Sequence, residues 1–230
     1  MISLKNINKV YTLRDGPTIA ALNDVDLEIG DGEFLVIIGR SGSGKTTLLN
    51  VAAGLTKPSS GTVLVDGTDV WSLSDNEQSR LRNRKLGFVF QFPSLIPVLS
   101  ALENVMLPVS LGDRNGHDGH NGDGGRAKAV ELLETVGLGD RLASFPRQMS
   151  AGQQQRVVIA RALMNEPELL FADEPSSDLD EQTEVEIMDL FADIHARTGV
   201  SIMMVTHASQ LIKYGTRAVE MSAGRLRELN

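Results

Sequence analysis

The sequence predicts an α/β protein built on a parallel sheet, and three observations carry that prediction. Short, continuous apolar runs recur at residues 34–38, 86–90, 169–172 and 202–205. Unbroken runs of this length mark strands covered on both faces. Helical patterns separate the runs at residues 46–53, 126–136, 150–164 and 181–198, and strands alternating with helices imply parallel pairing. Each helical pattern closes on a glycine or proline, namely Gly54, Gly137, Pro167 and Gly199, as helix C-termini do.

The elements follow in order. Ile2, Leu4 and Ile7 suggest a first strand, and Leu22, Val25, Leu27 and Ile29 alternate as a second. The run at 34–38 ends at Gly39 and leads into the helix at 46–53. The strands at 86–90, 169–172 and 202–205 then alternate with the three later helices. Residues 217–221 and 225–229 flank Ala223-Gly224 and read as a closing hairpin. One stretch, 112–125, holds six glycines with Asp113, His117, Asp118, His120 and Asp123. It reads either as a solvated, flexible insertion or as a metal site on His117 and His120. The ordering penalty of a glycine-rich loop favours the insertion.

Composition narrows the function. The 230 residues fit one domain or two closely packed subdomains, with ample material for a core. The absence of cysteine excludes a disulfide framework, a thiolate zinc site and a thiol nucleophile. A net charge of −8 disfavours a nucleic-acid partner, because phosphate binding draws on Lys and Arg. No apolar run approaches the roughly 20 residues of a membrane span, and the N-terminus lacks the apolar centre of a signal peptide. The expected location is therefore the cytoplasm, unless a partner holds the chain at a membrane.

Gly39-Arg40-Ser41-Gly42-Ser43-Gly44-Lys45-Thr46 matches the phosphate-loop pattern. It lies between a buried strand and a helix, where the mechanism needs it. The glycines let backbone N–H groups turn inward around phosphate oxygens, and the following helix aims its positive end at them. Lys45 supplies a charge to the β- and γ-phosphates, and the Thr46 hydroxyl suits Mg²⁺. The strand at 169–172 runs into Asp173 and Glu174. Asp173 suits Mg²⁺ held through water, and Glu174 suits a general base for an attacking water. The plainer alternative is an acidic turn into Pro175. Ser150 with Gln153 spells a capping box, and a capped helix start with Gly152 in its first turn also suits phosphate.

In this order the motifs resemble those of the nucleotide-binding subunits of ATP-binding cassette (ABC) transporters, over essentially the whole chain. The resemblance implies a P-loop NTPase (RecA-like) core with an antiparallel β subdomain and an inserted α-helical subdomain at about residues 92–165. It implies an ATPase that uses ATP and Mg²⁺. Tyr11 takes the place of the aromatic that stacks on adenine. Residues 39–46, with Thr47 just beyond, are the phosphate loop. Gln91 resembles the Q-loop glutamine, a Mg²⁺ ligand that senses the γ-phosphate. Ser150, Gly152 and Gln153 match the signature motif, Glu174 the catalytic carboxylate, and Ser177-Asp178-Leu179-Asp180 the D-loop, which places Asp180 near nucleotide. His207 after Thr206 matches the switch histidine.

The family mechanism follows from these positions. Two subunits face head to tail, a homodimer by default. Each ATP lies between one phosphate loop and the partner's signature helix, which brings Ser150, Gly152 and Gln153 to the γ-phosphate. Two departures stand out: Ala151 replaces the first signature glycine, and Ser177-Asp178 stands where Gly-Asn is usual. Ala has high helix propensity, so the helix should persist. Within the family, the closest resemblance is to lipoprotein-release, macrolide-export and peptide-export ATPases. It is carried by Ser41-Gly42-Ser43-Gly44-Lys45-Thr46-Thr47-Leu48-Leu49-Asn50, residues 86–91, Leu95-Ile96-Pro97 and Glu103-Asn104-Val105-Met106-Leu107-Pro108.

The resemblance also implies an integral membrane permease, docked beside the Q-loop on Phe92-Pro93-Ser94-Leu95-Ile96-Pro97-Val98-Leu99. The chain is then peripheral on the cytoplasmic face of the cell membrane. Phe92 and Leu95 are the candidate contacts, with core packing as the alternative for some of this stretch. A soluble ABC ATPase acting on DNA or ribosomes is a poorer match. The chain has no sustained heptads, a single ATPase unit and an acidic balance. An ATPase that drives a membrane regulator without transport has the same sequence features as a transporter subunit.

Overall fold

Residues 2–12, 16–112 and 123–229 are described by the structure, a computed structural model. The chain runs β1 (Ile2–Thr12), β2 (Thr18–Ile29), β3 (Phe34–Ile38), α1 (Lys45–Ala52), β4 (Ser60–Val65), β5 (Thr68–Asp69), α2 (Asp75–Lys85) and β6 (Leu86–Val89). It continues through α3 (Ala101–Ser110), α4 (Asp123–Thr135), α5 (Ala151–Leu163), β7 (Leu169–Asp173), α6 (Glu181–Thr198), β8 (Ser201–Thr206), β9 (Arg217–Ser222) and β10 (Arg225–Glu228). Short 3₁₀ turns occupy Val70–Ser72, Pro146–Gln148 and Ser209–Tyr214.

Two sheets form. The first is antiparallel, in the order β2-β1-β4-β5; the second has the order β10-β9-β3-β8-β7-β6. In the second, β9, β3, β8, β7 and β6 are parallel, and β10 returns antiparallel on β9. The predicted parallel sheet and closing hairpin are therefore present. Ala223 and Gly224, at φ 47° and 77°, make the tight turn between β9 and β10, a backbone hand that matches strand twist.

The two-sided burial read from the apolar runs is visible residue by residue. Phe34 and Val36 of β3, Leu170 and Ala172 of β7, and Ile202 and Met204 of β8 face one core, shared with α3, α4, α5 and α6. Leu35 and Ile37, Leu169 and Phe171, and Met203 and Val205 face the other, shared with α1 and the antiparallel sheet. Successive side chains point to opposite faces of a strand, so a continuous run feeds two cores at once.

Three differences from the sequence expectation have physical reasons. Helices α2 and α3 lie outside the four predicted helical stretches. The α2 sequence is almost wholly polar and carries no apolar stripe; only Gln78 among its residues is buried. Helix α4 begins at Asp123, so Gly124 and Gly125 are helical and not loop as their composition suggests. Burial of Ala129, Leu133 and Val136 outweighs the roughly 1 kcal/mol that each helical glycine costs. The last residue of the run at 86–90, Phe90, lies just outside β6. Asp113, His117, Asp118 and His120, and with them the choice between insertion and metal site, lie outside the described residues.

Candidate nucleotide-binding and catalytic site

Parallel pairing brings the C-terminal ends of β3, β6, β7 and β8 to one edge of the sheet, where open α/β sheets bind ligands. From those ends leave the phosphate loop, the segment through Gln91, the Asp173-Glu174 pair and His207. Residues far apart in sequence thus meet because of strand order alone.

The phosphate loop is shaped by contacts with β2 and with the β9–β10 hairpin. A Cβ at Gly39 would lie 2.3 Å from the Met221 carbonyl oxygen, and one at Gly44 would lie 2.4 Å from that of Ala21. Gly44 also sits at φ 110° as the cap residue of α1, with no side-chain cap. Only glycine permits that approach and that backbone. The N–H of Gly224 donates to the Ser43 carbonyl at 3.0 Å, and that of Ser43 to the Arg40 carbonyl at 3.2 Å. Lys45 is buried, and its Nζ donates to the carbonyls of Gly39 at 2.8 Å and Arg40 at 3.3 Å. Nζ also lies 3.5 Å from Glu174 Oε1.

Two polar pairs complete the catalytic edge. Thr46 Oγ1 donates to Asp173 Oδ1 at 3.1 Å. Burial pushes the Asp173 carboxyl above its ordinary value, and the neighbouring Glu174 charge adds to this; the Thr46 hydrogen bond and Lys45 oppose it. His207 Nδ1 lies 2.7 Å from Glu174 Oε2. Glu174 is largely shielded, with 14% of its side chain exposed, against 61% for His207. Glu174 holds a left-handed backbone at φ 48°, and its N–H donates to the Val205 carbonyl at 2.9 Å. A non-glycine residue there stores strain of order 1–3 kcal/mol, a feature that clusters at functional sites.

Most of these groups line one cleft of about 750 Å³, although the predicted site residues Gly39, Arg40 and Asp173 are not among its walls. Its walls are Tyr11, Ser41, Gly42, Ser43, Gly44, Lys45, Thr46, Thr47, Gln91, Glu174 and His207. They also include Ile19, Ala20, Ala21, Ser177, Ala223 and Gly224. The first eleven are site residues that the sequence predicts. The alanines, Ile19 and the hairpin turn carry no sequence signal for this role and enter only through packing. Tyr11 sits at the mouth, 42% exposed, with Lys9 Nζ 5.0 Å from its ring centroid. Arg40, within the loop, is exposed.

The cleft fits a nucleotide triphosphate and its metal. Ser43 Oγ and Ser177 Oγ are buried without a hydrogen-bond partner, so two polar atoms at the cleft await one. Among the described residues no cluster of three or more His, Cys, Asp or Glu gathers as a metal cage. One hydroxyl beside one carboxylate, Thr46 with Asp173, is the sparse oxygen set that suits Mg²⁺, which keeps waters and phosphate oxygens. Glu174, the next residue after Asp173, presents a carboxylate to the same cleft.

The structure does not bring Ser150, Gly152, Gln153 or Asp180 into this cleft. The predicted capping box is formed: Ser150 Oγ accepts from the Gln153 N–H at 3.2 Å, and Gln153 Oε1 from the Ser150 N–H at 3.0 Å. Gly152 is buried, and a Cβ there would lie 2.5 Å from Thr183 Cγ2. Asp180 caps α6, accepting from Thr183 N–H at 3.0 Å and Oγ1 at 2.7 Å, and these bonds hold its carboxyl below the ordinary value. The segment after Gln91 is clamped from two sides. Buried Asn104 of α3 accepts from the Ile96 N–H and donates to the carbonyls of Ile96, Leu99 and Ser100. Arg161 of α5 donates to Ser94 at 2.7 and 3.1 Å. Phe92 and Val98 stand 69% and 78% exposed, while Leu95 packs against the core.

A family model described as ABC transporter matches residues 22–177, more than half of the chain. The lipoprotein-releasing system ATP-binding protein LolD of Alcanivorax borkumensis is 42% identical over 230 residues, covering 100% of this chain and 97% of that protein. The macrolide export ATP-binding/permease protein MacB of Syntrophobacter fumaroxidans is 43% identical over 224 residues, covering 97% of this chain but 31% of that longer protein. A solved dimeric structure of a post-hydrolysis state of the ATP-binding cassette MJ0796, bound to ADP and Pi, matches with a TM-score of 0.88 and 40% identity. It covers 100% of this chain and 99% of that one.

Proposed function

The chain belongs to the ABC transporter family, and from that premise we propose that it is the ATP-hydrolysing subunit of a transporter of the lipoprotein- or macrolide-export type. The observation that carries the reading is the meeting of Lys45, Glu174 and His207 at the phosphate loop within one cleft. The relatives named for lipoprotein release and macrolide export match 100% and 97% of this chain.

The residues divide the work. The phosphate-loop N–H groups and Lys45 seat the β- and γ-phosphates, and Tyr11 stacks on the base. Thr46, Asp173 and Gln91 would hold Mg²⁺, and the ion would supply charge neutralisation of the transferring phosphoryl group. Lys45 now leans on the carbonyls of Gly39 and Arg40 and on Glu174. Turning to phosphate releases Glu174 Oε1 for the attacking water. Glu174 takes the water proton, and His207 orients the carboxylate through its 2.7 Å contact. The O–P bond to the leaving ADP breaks as the new O–P bond forms.

The signature residues Ser150, Gly152 and Gln153 serve the cleft of a second copy. Their place outside this chain's own cleft supports that reading, as does the dimeric state of the solved relative. No described helix is long and apolar enough to cross a membrane. In this reading a permease anchors the dimer at the cytoplasmic face, and the exposed apolar side chains of Phe92, Ile96 and Val98 support that surface as the contact. Leu95, predicted alongside Phe92, contributes more to the core than to this surface.

Purification of the tagged protein from detergent-solubilised membranes tests the assignment. A co-purifying permease supports it; soluble partners or ribosomes alone would overturn the transport role and leave the ATPase chemistry standing. Phe92→Asp is expected to lose the permease and keep the ATPase activity of the isolated subunit. Lost ATPase activity with retained permease would refute the docking surface.

A further inference from the structure

Glu174 and His207 touch at 2.7 Å, yet they sit on separate loops after separate strands. Parallel pairing of β7 with β8, Asp173 opposite Val205, sets the roots of the two loops side by side; what fixes the loops beyond the strand ends is a further set of contacts. Helix α6 lies behind both, fixed in the core by Ile187, Met188 and Phe191, and its first turn carries Glu184, which is half-buried and absent from the cleft wall. Each carboxylate oxygen of Glu184 takes one loop. Oε2 accepts from Ser176 Oγ at 3.1 Å, and Ser176, two residues beyond Glu174, is 3% exposed. Oε1 accepts from Gln210 Nε2 at 3.3 Å, three residues beyond His207. Further along α6, Asp189 Oδ1 accepts from the Tyr214 hydroxyl at 3.1 Å, so the turn after His207 is tied to the helix twice.

We propose that Glu184 is a positioning residue that aligns Glu174 with His207 by bridging Ser176 and Gln210. The inference rests on the reading of Glu174 as general base and deepens it. Sequence motifs do not mark Glu184, because an acidic residue in the first turn of a helix is ordinary and favoured by the helix dipole alone. What singles it out is the two-sided bridge. Removing the carboxylate leaves the Ser176 hydroxyl buried without this partner and removes one of the two ties on the His207 side, the one nearer His207. Glu184 is not part of the cleft wall, and its side-chain hydrogen bonds go to Ser176 and Gln210, so its loss is expected to disturb the alignment of the base and not substrate binding.

Steady-state ATPase assays on the full chain test this, with Glu184→Ala, Glu184→Gln, Ser176→Ala and the Ser176→Ala/Glu184→Ala pair, and Glu174→Gln as reference. Glu184→Ala is expected to lower kcat about fivefold, the equivalent of one lost hydrogen bond, with KM for MgATP unchanged. Glu184→Gln should restore most of the rate, since its amide can still bond both neighbours. The double variant should fall no further than Glu184→Ala, because the two residues act through one contact. Wild-type kcat in Glu184→Ala, a rise in KM instead, or an equal fall in Glu184→Gln would overturn the proposal. Wild-type turnover in Glu174→Gln would instead overturn the general-base reading. An inactive Glu174→Gln beside a fully active Glu184→Ala would sink the positioning role alone.

Discussion

Gly152 has two competing reasons to be glycine, and one substitution pair separates them. In this chain its missing Cβ makes room for Thr183, whose methyl Cγ2 would lie 2.5 Å from an added carbon. Ordinary contact starts near 3.5 Å, so Gly152→Ala demands about 1 Å of movement. Thr183 cannot simply rotate away, because its Oγ1 is bonded to Asp180 Oδ2 at 2.7 Å. Overpacking of this kind costs about 1–3 kcal/mol, which in a chain of this size lowers Tm by roughly 2–4 °C per kcal/mol. Gly152→Ala should therefore melt about 4–8 °C lower for a 2 kcal/mol clash. Thr183→Ser removes the methyl and keeps the hydroxyl, so Gly152→Ala/Thr183→Ser should recover most of that loss. Thermal melts and ATPase rates on the four proteins decide the matter. An unchanged Tm in Gly152→Ala, or a double variant no more stable than the single, would refute the steric argument. Recovery of Tm without recovery of ATPase rate is the outcome expected if Gly152 also approaches nucleotide across the dimer.

Other expectations follow from particular contacts. Lys45→Ala should weaken ATP binding itself, measured by equilibrium titration; unchanged affinity would remove Lys45 from the phosphate site. Asn104→Ala should lower stability by about 1–3 kcal/mol in urea melts, since it removes a fully buried side chain that bonds the Ile96 N–H and the Leu99 carbonyl; a loss well under about 1 kcal/mol would show that the segment holds its shape without the clamp. A hydrogen bond from Lys85 draws the Asp66 carboxyl down to about 2. A depressed carboxylate stabilises the fold above its unfolded pKa, and that stability is lost as pH falls through about 2. Lys85→Met should flatten the stability profile between pH 4 and pH 2; an identical profile would deny the coupling.

Much of the site is legible in the residues themselves. The phosphate loop, the strand running into Asp173 and Glu174, and the capping box at Ser150 are local features, in which a few consecutive residues fix both geometry and chemistry. Two further helices carry the same readable signal, Ser74 with Glu77 and Ser100 with Glu103, each forming a capping box. Apolar periodicity does not reveal α2, because that helix lacks an apolar stripe. Gly124 and Gly125 mislead in the opposite direction, since composition alone says nothing of the core that α4 covers.

Elements that depend on near neighbours can be read from the residues alone: two-sided strands, helix stops at glycine, and the loop that cradles phosphate. Tertiary structure alone decided which strand ends share an edge, and therefore that Glu174 meets His207 and Lys45. It alone brought the Met221 carbonyl against Gly39, seated Gly152 on Thr183, and set Glu184 between Ser176 and Gln210. These contacts join residues whose separation in sequence bears no relation to their distance in space. They arise from the packing of whole layers, so the pattern of any one segment does not contain them.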